Sequence, residues 1–249
     1  ASWEWTFPGG TPSTSSFENP VVVYNTPGIY DVTLKVTDAF GSNTQTILGL
    51  IKYSDSTFII TNTQNYSEGF ETSIFPPDSW ETPPSSFSWQ SIVVDTGYNC
   101  YPSTVAYVNH YWEQYPGQEA YLITNKIRLG SGSFAAENLL TYDYAYSGYA
   151  AGYDDGFRID ISIDCGITWD SLYGAYGTDL QTVPYVGSAW YPTCGSWKKD
   201  TLNLSNFGLN GETIMIRFAA INDYGNRFFM DNVKVNGTNV LLIPAVNSE

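Results

Sequence analysis

Positive charge is scarce in this chain: 10 lysines and arginines stand against 25 aspartates and glutamates, a formal charge of −15. So acidic a surface argues against nucleic acid and anionic membranes as partners. It suits solubility and divalent cations. Histidine occurs once, as His110. With no HExxH stretch, zinc-protease chemistry has no place in these 249 residues. A Ser-His-Asp triad would have to use His110, and no GxSxG elbow is present. The three cysteines, Cys100, Cys165 and Cys194, form no CxxC pair and no Cys/His cluster, which argues against structural zinc. The longest aliphatic run, Val240-Leu241-Leu242-Ile243, falls far short of the ~20 residues a helix needs to span a bilayer. There is no signal peptide, so an export signal is expected to have been removed or to lie outside this fragment. Long helical periodicity is missing as well.

What is abundant is aromatic and small polar. Tyrosine alone numbers 20, and Ser, Thr, Asn and Gly fill most other polar positions. That composition, with turn residues recurring along the whole chain, predicts an all-β extracellular protein. The clearest strand is Phe157–Ile163, where Phe157, Ile159, Ile161 and Ile163 alternate with Arg158, Asp160 and Ser162. A period of two marks a strand with one face in a core and one in water. Ser162-x-Asp164-x-Gly166-x-Thr168-Trp169 then fits an Asp-box hairpin turn. The Asp holds its own backbone, Gly supplies positive φ and Trp packs beneath. We read this motif as structural, since such turns need no ligand.

Residues 1–53 read as strands around Trp3–Phe7, Val21–Tyr24, Asp31–Asp38 and Asn43–Tyr53. WEWTFPGG, NPVVVY and TPGIYDVTLKVTDAFGS resemble the PKD immunoglobulin-type domain of secreted Bacteroidetes proteins. The resemblance implies a partial sandwich acting as a spacer. Its usual opening strands are missing before Ala1, so Ala1 is expected to be a boundary cut from a longer protein. Residues 54–65 read as a linker, with Phe58-Ile59-Ile60 docking or opening the next strand. Residues 66–237 read as a second sandwich of ten strands, from Gly69–Glu71 to Arg227–Val235. Glu68-Gly69-Phe70-Glu71, Phe75–Trp80, Ser162–Trp169 and Phe229–Val235 resemble MAM-like, cleaved-adhesin jelly-roll modules found beside PKD domains. Some such proteins are adhesins and others pappalysin-like metalloproteases, and many use type IX secretion. Residues 238–249 are expected to be a C-terminal linker. The fold class expected is therefore a partial PKD immunoglobulin-like sandwich followed by a jelly-roll β-sandwich.

Four groups of residues could carry a function. A carboxylate on an apolar strand face is costly unless paired or metal-bound, and alternation puts Asp231 with Phe229, Val233 and Val235. The jelly-roll resemblance implies adjacent first and last strands, with Glu71 and Asp231 helping to hold calcium and Glu68 as a further donor. Asn109 and Asp143 offer more oxygens. The alternative is that Asp231 bonds backbone amides or Arg227. Second, Tyr144, Tyr149 and Tyr153 belong to a longer tyrosine belt and could stack on sugars, with Asp154 and Asp155 bonding hydroxyls. The alternative is that these rings cover a sheet face. Third, the Cys165–Cys194 disulfide is expected, with Cys100 free or paired elsewhere; three single bridges can be drawn. Fourth, a glycosidase pair among the many carboxylates stays open by inventory alone. The reading is a non-catalytic, secreted or outer-membrane surface protein that contacts glycan or protein. The alternative is the accessory tail of a pappalysin-like metalloprotease whose catalytic domain lies upstream in the same chain.

Overall fold

The computed structural model describes residues 1–26, 28–53, 57–60, 65–113, 115–131 and 136–239. The chain divides into two compact units, residues 1–56 and 57–249. The all-β class follows the sequence expectation.

In the smaller unit, β1 (Ser2–Thr6), β2 (Gly10–Thr11), β3 (Thr14–Ser15), β4 (Val23–Tyr24), β5 (Gly28–Asp38) and β6 (Gly41–Tyr53) form a sheet of order β3-β1-β5-β6 and a β2-β4 ribbon. Asp38 closes the β5–β6 hairpin by accepting the N–H groups of Phe40 and Gly41 at 2.7 and 3.1 Å. Register places Trp3 opposite Val36 and Trp5 opposite Leu34. Glu4 and Lys35 form an ion pair of 3.2 Å on the other face. Only Phe7 and Val32 are buried among the unit's described large apolar side chains, while Phe17, Val21 and Leu48 are each at least 75 % exposed.

The larger unit opens earlier than the expected linker allows. Within residues 54–65, Thr57–Ile59 is an edge strand, β7, pairing in parallel with β12 (Lys126–Arg128). Residues 54–56 and 61–64 of that expected linker, and 240–249 of the expected C-terminal one, lie outside the described residues. The remaining strands are β8 (Tyr66–Glu68), β9 (Gln90–Val94), β10 (Ser103–Asn109), β11 (Glu119–Ile123), β13 (Ala136–Tyr146), β14 (Gly156–Ser162), β15 (Asp170–Tyr176), β16 (Lys198–Asn203), β17 (Thr213–Ile221) and β18 (Arg227–Asn239). One sheet runs β16-β13-β18-β10-β9, with β8 also on β18; the other runs β15-β14-β17-β12-β7, with β11 also on β17. The expected first strand, Gly69–Glu71, does not form, but the short β8 just before it lies beside the last strand, β18, with Glu68 opposite Val233 and Tyr66 opposite Val235.

Between the sheets lies a ring-rich core. Tyr142, Tyr144, Tyr146 and Phe228 of one sheet meet Phe157 and Phe218 of the other. The Phe157 and Phe228 rings stack at 4.6 Å and those of Phe157 and Phe218 at 6.2 Å. The other face of the first sheet carries a smaller cluster of Val94, Val105, Ala145, Trp197 and Phe229.

The Asp box forms as expected. Asp164 accepts the Thr168 N–H at 2.9 Å and its hydroxyl at 2.6 Å. These bonds hold the Asp164 carboxyl down at about 2. Trp169 Nε1 donates to the Gly166 carbonyl, and its ring covers the Arg217 guanidinium at 4.5 Å.

Two expectations are corrected here. The disulfide joins Cys100 to Cys194, and Cys165 is an exposed free thiol. The reason is placement. Cys165 sits in the β14–β15 turn at a φ of 61°, whereas the loop holding Cys194 lies against residues 96–100. There Thr96 donates to the Pro192 carbonyl and Trp197 to the Thr96 carbonyl. Asp231 also departs from the expected alternation. The β13–β18 register shifts between Thr141 and Asp143, and Asn232 takes a φ of 51°. This bulge puts one extra residue in β18, so Val233 and Val235 face the main core while Asp231 shares the opposite face with Phe229.

Candidate functional site

Three connections end at the same end of the larger sandwich. A single 3-10 turn, His110–Trp112, follows β10; residues 147–155 join β13 to β14; residues 222–226 join β17 to β18. Together they line a cleft of about 410 Å³ walled by Tyr111, Trp112, Tyr149, Tyr153 and Tyr224. The rings touch in series. Tyr111 meets Trp112 at 4.8 Å and Tyr149 at 5.9 Å. Tyr149 meets Tyr153 at 5.5 Å, and Tyr153 meets Tyr224 at 6.5 Å. Trp112 is 70 % exposed. So large an apolar ring left in water is costly unless something covers it.

A buried acid underlies this cleft. Asp155 is fully buried. It accepts the Tyr146 hydroxyl at 3.0 Å and the N–H groups of Asp223, Gly225 and Asn226 at 2.7, 2.9 and 2.9 Å. A Cβ on Gly225 would stand 2.0 Å from the Asp155 carboxylate, so the loop's close approach requires glycine. His110, also fully buried, places Nδ1 3.6 Å from Asp155 and packs on Phe87 at 5.2 Å. This carboxylate thus braces the loop bearing Tyr224, and it lies beside His110 at the start of the turn bearing Tyr111 and Trp112 without a hydrogen bond to it.

Burial holds the His110 imidazole below its usual range, with Asp155, Asn222 and Glu113 pulling the other way. A depressed histidine contributes stability that is present above the unfolded value of about 6.5 and is lost as pH falls. Burial pushes Asp231 up to about 6, which acts with the opposite sign. The His110 contribution is therefore read as a difference between proteins. The melting temperature of His110→Gln minus that of wild type should rise as pH is lowered from 7 to 5. A constant difference would show that His110 does not titrate in this range.

The sequence-predicted ligand residues divide. Tyr149 and Tyr153 line the cleft, and Asp154 is exposed beside it with its N–H donated to Asp223 at 3.0 Å. Tyr144 does not: it is 6 % exposed and stacks on Phe228 at 6.0 Å, because alternation turns it inward with Tyr142 and Tyr146. Asp155 is not a surface acceptor, since its oxygens serve the loop. Tyr111, Trp112 and Tyr224 escaped sequence reasoning. Adjacent Tyr111-Trp112 in a stretch too short for a strand was the available signal.

The predicted cation donors also divide. Ser103 Oγ contacts both Glu71 at 2.7 Å and Asp231 at 3.0 Å, and Asp143 lies opposite Asp231 in register. Asp231 is raised by burial first, then by Glu71 and Asp143. Asn232 donates to Asp143 Oδ2, while Oδ1 has no hydrogen bond and lies 3.2 Å from the half-exposed Lys199 ammonium. Among the described residues no group of three or more His, Cys, Asp or Glu is arranged as it stands to hold a metal ion. Asn109 does not join, because it sits at the opposite end of β10, across from Arg227. Glu68 accepts the Phe70 N–H and holds that residue at a φ of 57°, so its carboxylate serves a turn.

Residues 1–48 match the PKD domain family. No curated protein matches the chain. Among solved structures, the K1 cleaved adhesin domain of Lys-gingipain from Porphyromonas gingivalis W83 is similar at 19 % identity, over 71 % of this chain and 99 % of that one, with a TM-score of 0.49. The K3 cleaved adhesin domain of the same protein is similar at 18 % identity, over 70 % and 99 %, with a TM-score of 0.47. The xylan-binding domain of a Paenibacillus barcinonensis protein is similar at 12 % identity, over 70 % and 99 %, with a TM-score of 0.41. A segment that matches the PKD model therefore precedes the larger all-β unit, and the solved structures similar to the chain include adhesin and carbohydrate-binding domains.

Proposed function

We propose that the larger unit is a non-catalytic glycan-binding module of a secreted or cell-surface protein, and that the PKD segment is its spacer. The five-ring cleft carries this reading. Its aromatic faces are left in water at one end of a rigid sandwich, on loops whose backbone is braced by a buried acid. Concave, mostly apolar sites with a few polar groups at the rim are how proteins hold small ligands and sugars. The Cys100–Cys194 bridge supports an oxidising compartment outside the cytoplasm. Among the described residues no helix is long and apolar enough to cross a membrane. The resemblance of both segments to modules of secreted Bacteroidetes proteins supports the same placement. Oligosaccharide titration tests the site. Trp112→Ala and Tyr153→Ala should each weaken binding about tenfold, about 1.4 kcal/mol, without lowering the melting temperature. Unchanged affinity in both variants would remove the cleft from the binding site.

Calcium is proposed as a structural cofactor, held by Glu71, Asp143 and Asp231. The donor set is all oxygen, as a hard cation requires. Lys199 supplies the counter-charge that an ion would displace. A cation bound there would offset the repulsion among the three acids. At calcium a hundredfold above its Kd, chelation should lower the melting temperature by about 5–10 °C. Asp231→Asn should abolish that difference. Superimposable melts with and without chelator would end the proposal.

A further inference from the structure

We infer that the aromatic cleft takes a sugar chain bearing protonated amino groups, in preference to neutral or acidic sugars. This rests on the glycan reading of the same cleft. Ring geometry gives the first argument. Successive rings meet steeply, at 89° for Tyr111–Trp112, 65° for Tyr111–Tyr149, 77° for Tyr149–Tyr153 and 83° for Tyr153–Tyr224. A flat pyranose face is best served by one broad platform. Rings set edge to face make walls instead. Walls of this kind present negative π faces to a compact cation from several sides.

Charge gives the second. Carboxylates adjoin three of the five rings along the chain: Glu113 follows Trp112, Asp154 follows Tyr153 and Asp223 precedes Tyr224. No lysine or arginine occurs in residues 110–118, 147–155 or 222–226. Arg227, the next residue after the last loop, is 9 % exposed and lies over the Tyr191 ring at 4.4 Å. Burial disfavours the charged form of His110 beneath the cleft. The field in the cleft is therefore negative. It attracts an ammonium group and repels a uronate or sulfate. A volume of about 410 Å³ falls in the range of small-ligand sites and admits a short stretch of chain.

The test uses three short oligosaccharides: a glucosamine trimer, the N-acetylglucosamine trimer with the same linkage, and a galacturonate trimer. Calorimetric titration at pH 6 in 50 and 500 mM salt should show the glucosamine trimer at least tenfold tighter than its acetylated counterpart. The galacturonate trimer should not bind. The preference should shrink at high salt and in an Asp154→Asn/Asp223→Asn variant, while Trp112→Ala weakens binding of the two glucosamine-based trimers about tenfold. Equal, salt-insensitive binding of the free-amine and acetylated trimers, sensitive to Trp112→Ala, would overturn the charge inference and leave the glycan site standing. Binding of the glucosamine trimer that Trp112→Ala leaves unchanged would mean attraction to the acidic surface at large, which overturns it too. No binding by any oligosaccharide in a wider panel would overturn the glycan reading itself.

Discussion

Reducing the Cys100–Cys194 bridge should cost the larger unit about 4–5 kcal/mol, the largest covalent effect available in this chain. The bridge closes a loop of 94 residues. Chain entropy for a loop near that length is worth about 4.6 kcal/mol, within the range found when native disulfides are removed. The bridge also ties down the cover of the small apolar cluster, since Trp197 donates its indole N–H to Thr96 at 2.8 Å and Trp190 packs on Phe229 at 5.9 Å. Releasing it should expose Phe229 and Val105. Denaturant unfolding with and without reductant measures the loss. Cys100→Ser and Cys194→Ser should each match the reduced protein, and Cys165→Ser should match the oxidised wild type. If Cys165→Ser instead reproduced the loss and Cys100→Ser did not, the bridge would run from Cys165.

The fold was largely legible because its signals are local. Phe157, Ile159 and Ile161 alternate into the core as expected, although the strand ends at Ser162 and Ile163 is 60 % exposed. Asp160 and Ser162, expected in water, are buried. Ser162–Trp169 contains every donor and acceptor its turn uses. Tyr142, Tyr144 and Tyr146 alternate too, which is why they pack inward rather than meet a ligand. What escaped depends on partners distant in sequence. β7 and β12 are three residues each, too short to show a period, and they pair in parallel although Thr57 and its partner Lys126 are far apart in sequence. The bulge at Asn232 reversed the faces of β18, and asparagine at that position gives only a weak hint of positive φ. Neither cysteine of the bridge lies near the other along the chain. The cleft was half visible for the same reason. Tyr149 and Tyr153 stand together in one loop, whereas Tyr111, Trp112 and Tyr224 arrive from two others. Glu71 pairs with Asp231 at the level of sequence only because a resemblance supplies the neighbouring strands, whereas Asp143 is legible there only as an oxygen donor near a strand end. The structure puts Ser103 in contact with both Glu71 and Asp231, and Asp143 opposite Asp231.

Asp155→Ala should destabilise the larger unit by about 3–5 kcal/mol and abolish binding at the cleft together. Three backbone N–H groups and the Tyr146 hydroxyl converge on this one carboxylate inside the protein. Each buried donor left without a partner costs about 1–3 kcal/mol. Some of the four would find water once the loop moves, which keeps the total below their sum. That movement is the functional consequence. Residues 222–226 hold their shape against Asp155, with Tyr224 itself at a φ of 59°, a conformation a tyrosine rarely adopts without such support. His110, at the start of the turn carrying Tyr111 and Trp112, would lose the carboxylate that lies 3.6 Å from its Nδ1. Asp155→Asn should fail as well, because its amide turns donors towards donors. Trp112→Ala separates the two effects: it removes a wall of the cleft and leaves the brace intact, so binding falls while stability holds. If Asp155→Ala lost less than about 1 kcal/mol in denaturant and still bound oligosaccharide like the wild type, the loops would be holding the rings by themselves and the buried acid would have no part in shaping the site.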